Sequence, residues 1–312
     1  MGPTASGKTG ILSRLFGDGG IGQREAEIVS ADSMQVYRGM DIGTAKPSAE
    51  ERRQIPHHLI DIRNPGEQFN VGEFVRLAGE ACLDIARRGK LPVISGGTGF
   101  YLKNFILGLP EAPPSDPEVR ANLKRDLREQ GAGALMNELA LGDPLSAGRI
   151  HINDQYRLLR ALEVLRLSGR PVSSFQTAGG GFPGRFLIIG LSRPREELYR
   201  CINERCAAMF RRGLPAEVRR LHEAGYTPRD PGLRAIGYRE FFVEEPIGGV
   251  YRLSEDIAGV QALVAQNSRR YAKRQATFFA AIPGVQWIEA GPDEGEMAER
   301  IRRKLEGFLE NF

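Results

Sequence analysis

The stretch Gly2-Pro3-Thr4-Ala5-Ser6-Gly7-Lys8-Thr9 decides the fold because it matches the phosphate-binding pattern G-x-x-x-x-G-K-[ST]. In this pattern the glycines let the backbone curve closely, so that successive N–H groups point at phosphate oxygens. Lys8 adds a positive charge, and the Thr9 hydroxyl can bind a magnesium ion. A helix predicted from Lys8 to about Phe16 directs the positive end of its dipole at the same anion. The stretch therefore predicts a phosphate site at a helix N-terminus.

Downstream of this loop, short apolar runs alternate with helical patterns, which predicts an α/β fold with a parallel sheet. The predicted strands are 27–30, 58–62, 91–95, 186–190 and 285–288, and the predicted helices are 71–88, 195–212, 214–224 and 292–312. A phosphate loop normally follows a buried strand, and only Met1 precedes Gly2. We therefore expect a P-loop-type sheet core whose first strand is missing.

The middle of the chain differs in character from both ends. A proline-rich linker ends at Asp116-Pro117, a helix cap followed by a first-turn proline. From there to about Gln176 only helical patterns occur, and a glycine-rich return follows at 177–184. We predict a first part of the core at 1–112, an inserted all-helical domain at 113–184, and the completion of the core with C-terminal helices at 185–312.

Composition narrows the classes of protein. The chain has 312 residues, 41% hydrophobic and 26% charged, with a net charge of +4. No apolar stretch approaches the roughly 20 residues that span a bilayer, and no signal peptide is recognisable, so we expect a cytoplasmic protein without a membrane partner. The three cysteines show no metal-binding spacing. Arg270, Lys273 and Arg274 share one helix face, which is either a solvated surface or a contact for a nucleic-acid backbone.

Polar residues follow two predicted strands, where ligands of open parallel sheets bind. Asp32 follows the strand 27–30 and is either a base, a metal ligand or the cap of a turn. Thr98 follows the strand 91–95 in a Gly-Gly-Thr-Gly segment, and its hydroxyl suits a phosphate oxygen. The long segment 39–47 suggests a binding loop. Asp61 is either the acid of a magnesium site or a cap.

With these segments in view, the chain resembles the bacterial tRNA dimethylallyltransferases, also called tRNA isopentenyltransferases. The resemblance covers nearly the whole chain and rests on residues 2–9, 32–33, 39–47, 58–61, 96–98, 116–120, 160–163, 236–238 and 273–275. It implies transfer of the dimethylallyl group from dimethylallyl diphosphate to the exocyclic amine of the adenosine 3′ of the anticodon, with release of diphosphate. It also implies Mg²⁺ as cofactor and the tRNA anticodon stem-loop as partner. We expect a monomer.

The resemblance also implies roles for individual residues. Asp32 would accept the proton of the amine, and Thr98 would bond the bridging oxygen of the diphosphate. The diphosphate would be bound by Gly2, Pro3, Thr4, Ala5, Ser6, Gly7, Lys8, Thr9 and Arg205, with Thr9 also on the metal. The expected tRNA-binding residues are Asp32, Ser33, Met34, Gln35, Thr98, Arg120, Tyr156, Arg157, Leu158, Leu159, Arg160, Arg234, Gly237, Tyr238, Arg239, Arg270, Lys273 and Arg274. Tyr156 departs from the family, whose members commonly have glutamine there.

Three other functions compete with this interpretation. A nucleotide kinase would also use Gly2–Thr9, but the sequence offers no recognisable adenine clamp. Isopentenyltransferases that act on free AMP or ADP would need neither the basic helix face nor the helical insertion. A non-catalytic RNA-binding protein would have no use for Asp32, Thr98 and Lys8 together.

Overall fold

The computed structural model describes residues 1–17, 25–175, 181–245, 249–291 and 293–310. The chain divides into two compact units. The first, here called the core unit, comprises Met1–Phe105 and Gly184–Phe312, and the second, the helical unit, comprises Ile106–Pro183. The units divide after residues 105 and 183, whereas the predicted divisions lie after residues 112 and 184. The predicted glycine-rich return covers residues 177–184, and its first part, 177–180, lies outside the described residues.

A small parallel sheet positions the predicted site. It contains β1 (Ala26–Ser30), β2 (His57–His58) and β3 (Leu91–Ser95) in the order β2-β1-β3. All five residues of β1 are buried, as the central position of this strand requires. Ser30 pairs with Ser95 in register, so the segments that follow β1 and β3 leave the sheet side by side. Asp32 and Thr98 therefore lie at the same sheet edge.

Two further strand pairs complete the core unit. Strand β4 (Ile189–Ser192) is parallel to β7 (Gln286–Glu289), whereas β5 (Phe242–Glu244) and β6 (Tyr251–Leu253) form an antiparallel hairpin. Met1 lies beside β4, because its amino group donates to the Ile189 carbonyl at 2.6 Å and its carbonyl accepts from the Leu191 N–H at 2.9 Å. The missing first strand stays a prediction.

Several predicted strand positions were wrong. Of the predicted strand 58–62 only His58 is in a strand, because Leu59 and Asp61 have φ values of 61° and 57° and turn the chain away. The predicted strand 186–190 begins instead at Ile189. The β5–β6 hairpin has no counterpart in the prediction. Its strands have three residues each, too few for a period-2 pattern to be visible.

The helices of the core unit follow the predictions closely. Helix α3 runs Val71–Arg87, α8 runs Arg195–Arg211 and α9 runs Leu214–Glu223, each ending one residue earlier than predicted. The remaining helices are α1 (Lys8–Phe16), α2 (Ala49–Gln54), α4 (Gly99–Leu107), α10 (Ile257–Ala280) and α11 (Glu294–Leu309). Helix α1 begins at Lys8 because Gly7, at φ 92°, adopts a left-handed conformation that favours glycine.

The helical unit has its own apolar core. Helix α5 runs Pro117–Gly142 with a kink at Gly131, and α6 (Pro144–Ala147) and α7 (Gln155–Ser168) follow. The predicted cap is confirmed, since the Asp116 carboxylate accepts from the N–H groups of Glu118 and Val119. The buried side chains between α5 and α7 are Leu123, Leu135, Leu139, Leu158 and Leu162. None of the helices in the described ranges is long and apolar enough to cross a membrane.

Candidate active site

The predicted phosphate loop forms a tight turn at the start of α1. The Ser6 N–H donates to the Pro3 carbonyl at 3.3 Å, and Gly7 and Ala5 both have positive φ, 92° and 62°. Such a conformation is unfavourable for alanine, so the surrounding contacts must hold Ala5 in place. The geometry is that of a backbone concavity at a helix N-terminus, as anion binding requires.

Lys8 is the cation at the base of this loop. Its ammonium donates to the carbonyls of Gly2 at 2.8 Å and Pro3 at 2.6 Å. The pKa of Lys8 is lowered to about 7, first by burial and then by the charge of Arg205, while Asp32 opposes the shift. Lys8 therefore gains or loses its charge near neutral pH, and a bound anionic ligand would favour the charged form.

Asp32 and Thr98 occupy the sheet edge beside the loop. The Asp32 carboxylate accepts from the Met34 N–H at 2.9 Å and from the Gln35 N–H at 3.4 Å, which closes a turn after β1. The Thr98 hydroxyl oxygen accepts from the Ser33 N–H at 3.0 Å. The structure thus bears out the cap, through one carboxylate oxygen, and the roles of Asp32 as a base or a metal ligand stay predictions.

A buried amide joins the phosphate loop to the end of β3. The Gln275 side chain accepts from the Thr4 N–H at 2.9 Å and donates to the Gly97 carbonyl at 2.7 Å. One turn earlier on α10, the pKa of Tyr271 is raised to about 12, chiefly by burial and by the Asp32 charge, despite hydrogen bonds to Gln275 and Thr98. Helix α10 therefore fixes the distance between the loop and the Asp32–Thr98 edge.

One cavity of about 680 Å³ within the core unit is lined by loop residues 4–9, Asp32, Tyr271 and Gln275. Thr98 is not among the lining residues, but Ser33, whose N–H donates to the Thr98 hydroxyl, is. Arg205 on α8 lines it as well, and burial lowers the pKa of its guanidinium while Asp32 opposes this. In the described part of the chain, the Arg205 side chain has no hydrogen bond or ion pair to a protein group. Five cations and three carboxylates line the cavity: Lys8, Arg193, Arg205, Arg239, Arg274, Asp32, Glu51 and Glu294. The excess of positive charge suits an anionic ligand.

The predicted binding loop 39–47 is held from α9. The buried Glu217 carboxylate accepts from the N–H groups of Asp41, Ile42 and Gly43 at 2.8–3.2 Å and from the Tyr238 hydroxyl at 2.7 Å. Residues 43, 44, 45 and 47 of this loop line the cavity. Glu217 therefore sets the position of one cavity wall without lining the cavity itself.

The environment of Asp61 matches neither of its two predicted roles, the acid of a magnesium site or a cap. One carboxylate oxygen accepts from Lys46 at 2.5 Å and the other from Arg52 at 3.0 Å. Lys46 is buried and also pairs with Asp41 at 2.7 Å. Asp61 does not line the cavity, so the geometry favours an ion pair that fastens loop 39–47 over a magnesium ligand.

The helical unit has its own cluster of predicted tRNA-binding residues. The buried Glu163 pairs with Arg120 at 3.1 Å and Arg160 at 2.8 Å. Arg120 also lies over the ring of Tyr156 at 4.9 Å, and the Tyr156 side chain is 71% exposed. An exposed ring backed by a guanidinium is suited to stacking on a nucleobase, and the contact of Tyr156 with tRNA stays a prediction. Arg157 is exposed beside it.

On α10 the basic face lies in solvent. Arg270 and Lys273 are exposed, and no ion pair involves them among the described residues. Arg274 is exposed too, lies over the Tyr271 ring at 5.7 Å, and lines the cavity. Arg239 lines the cavity near Glu240, whereas the Arg234 guanidinium donates to the carbonyls of 228 and 229. The basic face thus continues from the surface to the cavity mouth.

Five of the predicted tRNA-binding residues are buried or already hydrogen-bonded in the structure. The side chains of Leu158, Leu159 and Tyr238 are at most 5% exposed, because the leucines pack between helices and the Tyr238 ring packs in the core with its hydroxyl on Glu217. They support the surface without forming it. The Gln35 amide is engaged with the Ser30 hydroxyl and the carbonyls of Thr44 and Ala45, so it is not free to read a base edge. Gly237 is buried, and its N–H donates to Glu240.

Sequence reasoning missed three residues of this site. Arg193 follows β4 and lines the cavity, and the rule that ligands bind at the carboxyl ends of parallel strands could have found it. Tyr271 lies within the basic segment of α10, of which only the charged side chains were predicted to bind a ligand. Nothing in the sequence distinguishes Glu217 from the exposed glutamates of the same helix pattern.

The parallel sheet, the glycine-rich loop at a helix N-terminus and the cationic cavity define an α/β protein whose cavity is suited to a phosphorylated ligand. The family model described as IPP transferase matches residues 35–281. The chain therefore belongs to the IPP transferase family.

Individual relatives agree with this assignment. The chain is 46% identical over 291 residues to a tRNA dimethylallyltransferase of Geobacter sulfurreducens, covering 93% of this chain and 90% of the relative. Its structure is similar to the full-length tRNA isopentenylpyrophosphate transferase from Bacillus halodurans, with a TM-score of 0.68, 36% identity and coverage of 99% and 95%. A eukaryotic dimethylallyltransferase studied crystallographically while acting on tRNA gives a TM-score of 0.81 at 26% identity, with coverage of 99% and 78%.

Proposed function

We propose that this protein transfers the dimethylallyl group of dimethylallyl diphosphate to the exocyclic amine of the adenosine 3′ of the anticodon in tRNA. The observation that supports this most is the cavity that the phosphate loop shares with Asp32, with the Thr98 hydroxyl held beside it through the Ser33 N–H. An anion cradle beside a carboxylate and a hydroxyl suits an alkyl transfer from a diphosphate. The activity named for the relatives points the same way.

The proposed chemistry is a substitution at the first carbon of the dimethylallyl group. The adenine amine nitrogen forms a bond to this carbon while the carbon–oxygen bond to the diphosphate breaks, and the Asp32 carboxylate accepts the amine proton. An aromatic amine is a weak nucleophile, so a positioned base is expected to contribute about 10²–10⁴-fold. The Thr98 hydroxyl donates to the bridging oxygen, where negative charge develops.

The leaving diphosphate would be stabilised by the loop Gly2–Thr9, by Lys8 and by Arg205. Lys8 and Arg205 have lowered pKa values in the protein alone, and a diphosphate would reverse part of that shift. For Mg²⁺, the donor set fits, because this ion usually keeps waters and phosphate oxygens and needs one or two protein ligands, here Thr9. When bound, the ion would neutralise charge on the diphosphate.

The tRNA would be bound by the remaining predicted residues on both units. Ser33, Met34, Arg239 and Arg274 line the cavity, and the Thr98 hydroxyl accepts from the Ser33 N–H. Arg270 and Lys273 lie on the exposed face of α10. Arg120, Tyr156, Arg157 and Arg160 form the surface of the helical unit. The backbone of the anticodon stem-loop would account for most basic contacts, and Tyr156 for a stacked base.

Finer parts of the architecture are also proposals. The core would be of the P-loop type, with the domains at 1–112, 113–184 and 185–312. A monomer in the cytoplasm remains our prediction, and light scattering at micromolar concentration tests the oligomeric state.

The deciding experiment incubates the purified protein with labelled dimethylallyl diphosphate and either unmodified tRNA or AMP. We expect label in tRNA alone. Label in AMP alone would favour an enzyme of free nucleotides, and label in neither acceptor, with turnover of ATP, would favour a kinase. Either result would overturn the proposal.

A further inference from the structure

Arg193 lies against the phosphate loop with most of its hydrogen-bonding capacity unused. It follows β4, lines the cavity, and its side chain is only 10% exposed. Its Nη1 donates to Glu197, one turn further along α8. Its Nη2 is 3.7 Å from the place that a Cβ atom would take at Gly7. One guanidinium nitrogen is thus paired, and the other terminal nitrogen lies beside the phosphate loop.

Two buried polar atoms at this place lack partners. The Arg193 Nε is buried without a hydrogen-bond partner among the described residues, and so is the Ser6 hydroxyl within the loop itself. Ser6 is fully buried and lines the cavity. Unpaired buried donors are rare because they cost free energy, and they commonly mark a place where a ligand supplies the acceptor.

We propose that Arg193 is a further diphosphate-binding residue, acting with the Ser6 hydroxyl on one phosphate group. A guanidinium donates two parallel hydrogen bonds to a phosphate, which the ammonium of Lys8 cannot do. Lys8 is in addition engaged with the carbonyls of Gly2 and Pro3. The inference rests on the proposed function, because that function supplies the diphosphate.

Glu197 would hold the guanidinium in place while the ligand is absent. Its carboxylate pairs with Nη1, leaving Nη2 toward the loop. A purely structural pair would stabilise the first turn of α8 and leave anion binding unaffected. If Arg193 binds the phosphate, its substitution weakens anion binding and substitution of Glu197 does not. If the pair is only structural, neither substitution affects anion binding.

The test is the affinity of inorganic pyrophosphate, measured by calorimetry with magnesium present. The variants are Arg193→Gln and Glu197→Gln, and the control is Arg200→Gln, an exposed arginine on the same helix. We expect Arg193→Gln to weaken binding fivefold or more, whereas Glu197→Gln and Arg200→Gln keep at least the wild-type affinity. If Arg193→Gln does not fold, Arg193→Lys replaces it, with the same expected loss because lysine cannot bind the phosphate bidentately.

A smaller loss in the Arg193 variant would overturn the inference, and so would an equal loss in Glu197→Gln, which would assign the effect to the ion pair. Failure of the proposed function has a separate signature, because label from dimethylallyl diphosphate would then not enter tRNA in the transfer assay, whatever the affinity for pyrophosphate. The KM for dimethylallyl diphosphate provides a second readout and should rise in Arg193→Gln more than kcat falls, since the contact exists before the reaction.

Discussion

Asp32 closes a turn besides its proposed role as the base, and this decides how it should be tested. One carboxylate oxygen closes the turn after β1 through the Met34 N–H. Replacing Asp32 with alanine would remove that turn together with the base. Asparagine keeps an oxygen for the Met34 N–H and removes only the ability to accept a proton.

We therefore expect Asp32→Asn to lower kcat by about 10²-fold or more, with tRNA affinity changed no more than a few-fold. Single-turnover kinetics and filter binding measure the two quantities. The matched control is Asp41→Asn, because Asp41 is more exposed and does not line the cavity. An Asp32→Asn enzyme with near-normal kcat would show that another group accepts the proton.

Lys8 gives a second prediction at this scale, because its pKa of about 7 in the folded protein lies below its ordinary value of 10.5. Between these values the unfolded chain binds more protons than the folded chain, so stability rises with pH across this window. In Lys8→Met the slope of the unfolding free energy against pH should be smaller than in the wild type, by at most about 1.4 kcal/mol per pH unit.

Urea unfolding at pH 7, 8 and 9, without ligand, checks this expectation. Lys124→Met, at an exposed position of α5, should keep the wild-type slope. Equal slopes for Lys8→Met and wild type would mean that Lys8 keeps an ordinary pKa in the fold.

At the scale of elements, loop 39–47 depends on one buried carboxylate. Glu217→Ala would leave three backbone N–H groups and the Tyr238 hydroxyl without their acceptor. We expect a loss of about 3 kcal/mol or more in the free energy of unfolding, measured by urea titration. Glu223→Ala, an exposed position of the same helix, should change stability by less than about 0.5 kcal/mol. Similar losses in both variants would contradict the role assigned to Glu217.

The elements also show what the sequence could and could not predict. Helix limits at Asp116, Gly169 and Gly213 were predictable, because caps and left-handed glycines act locally. The strand predicted at 58–62 failed because Lys46 and Arg52, distant in sequence, bind Asp61 in a turn. Asp32 and Thr98 were found because parallel strands end at one edge. Arg193 also follows a parallel strand, so the same rule applies to it, whereas Glu217 and Tyr271 act through tertiary contacts, which no local pattern reveals.

For the whole molecule, binding of tRNA should depend on charge spread over exposed surfaces. The double variant Arg270→Gln/Lys273→Gln should weaken tRNA binding about tenfold and reduce the slope of log K against log salt by about 1–2, with pyrophosphate affinity unchanged. The control Arg76→Gln/Arg87→Gln removes two exposed charges of α3. Equal effects in both double variants would indicate non-specific attraction.

The central claim is that the phosphate loop binds a diphosphate that leaves only when a tRNA amine attacks. The most direct measurement counts diphosphate released and dimethylallyl groups transferred to tRNA in the same reaction. We predict one diphosphate per modified tRNA, negligible release without tRNA, and no phosphate released from ATP. Release of diphosphate at an equal rate without tRNA, or steady hydrolysis of ATP, would contradict the account.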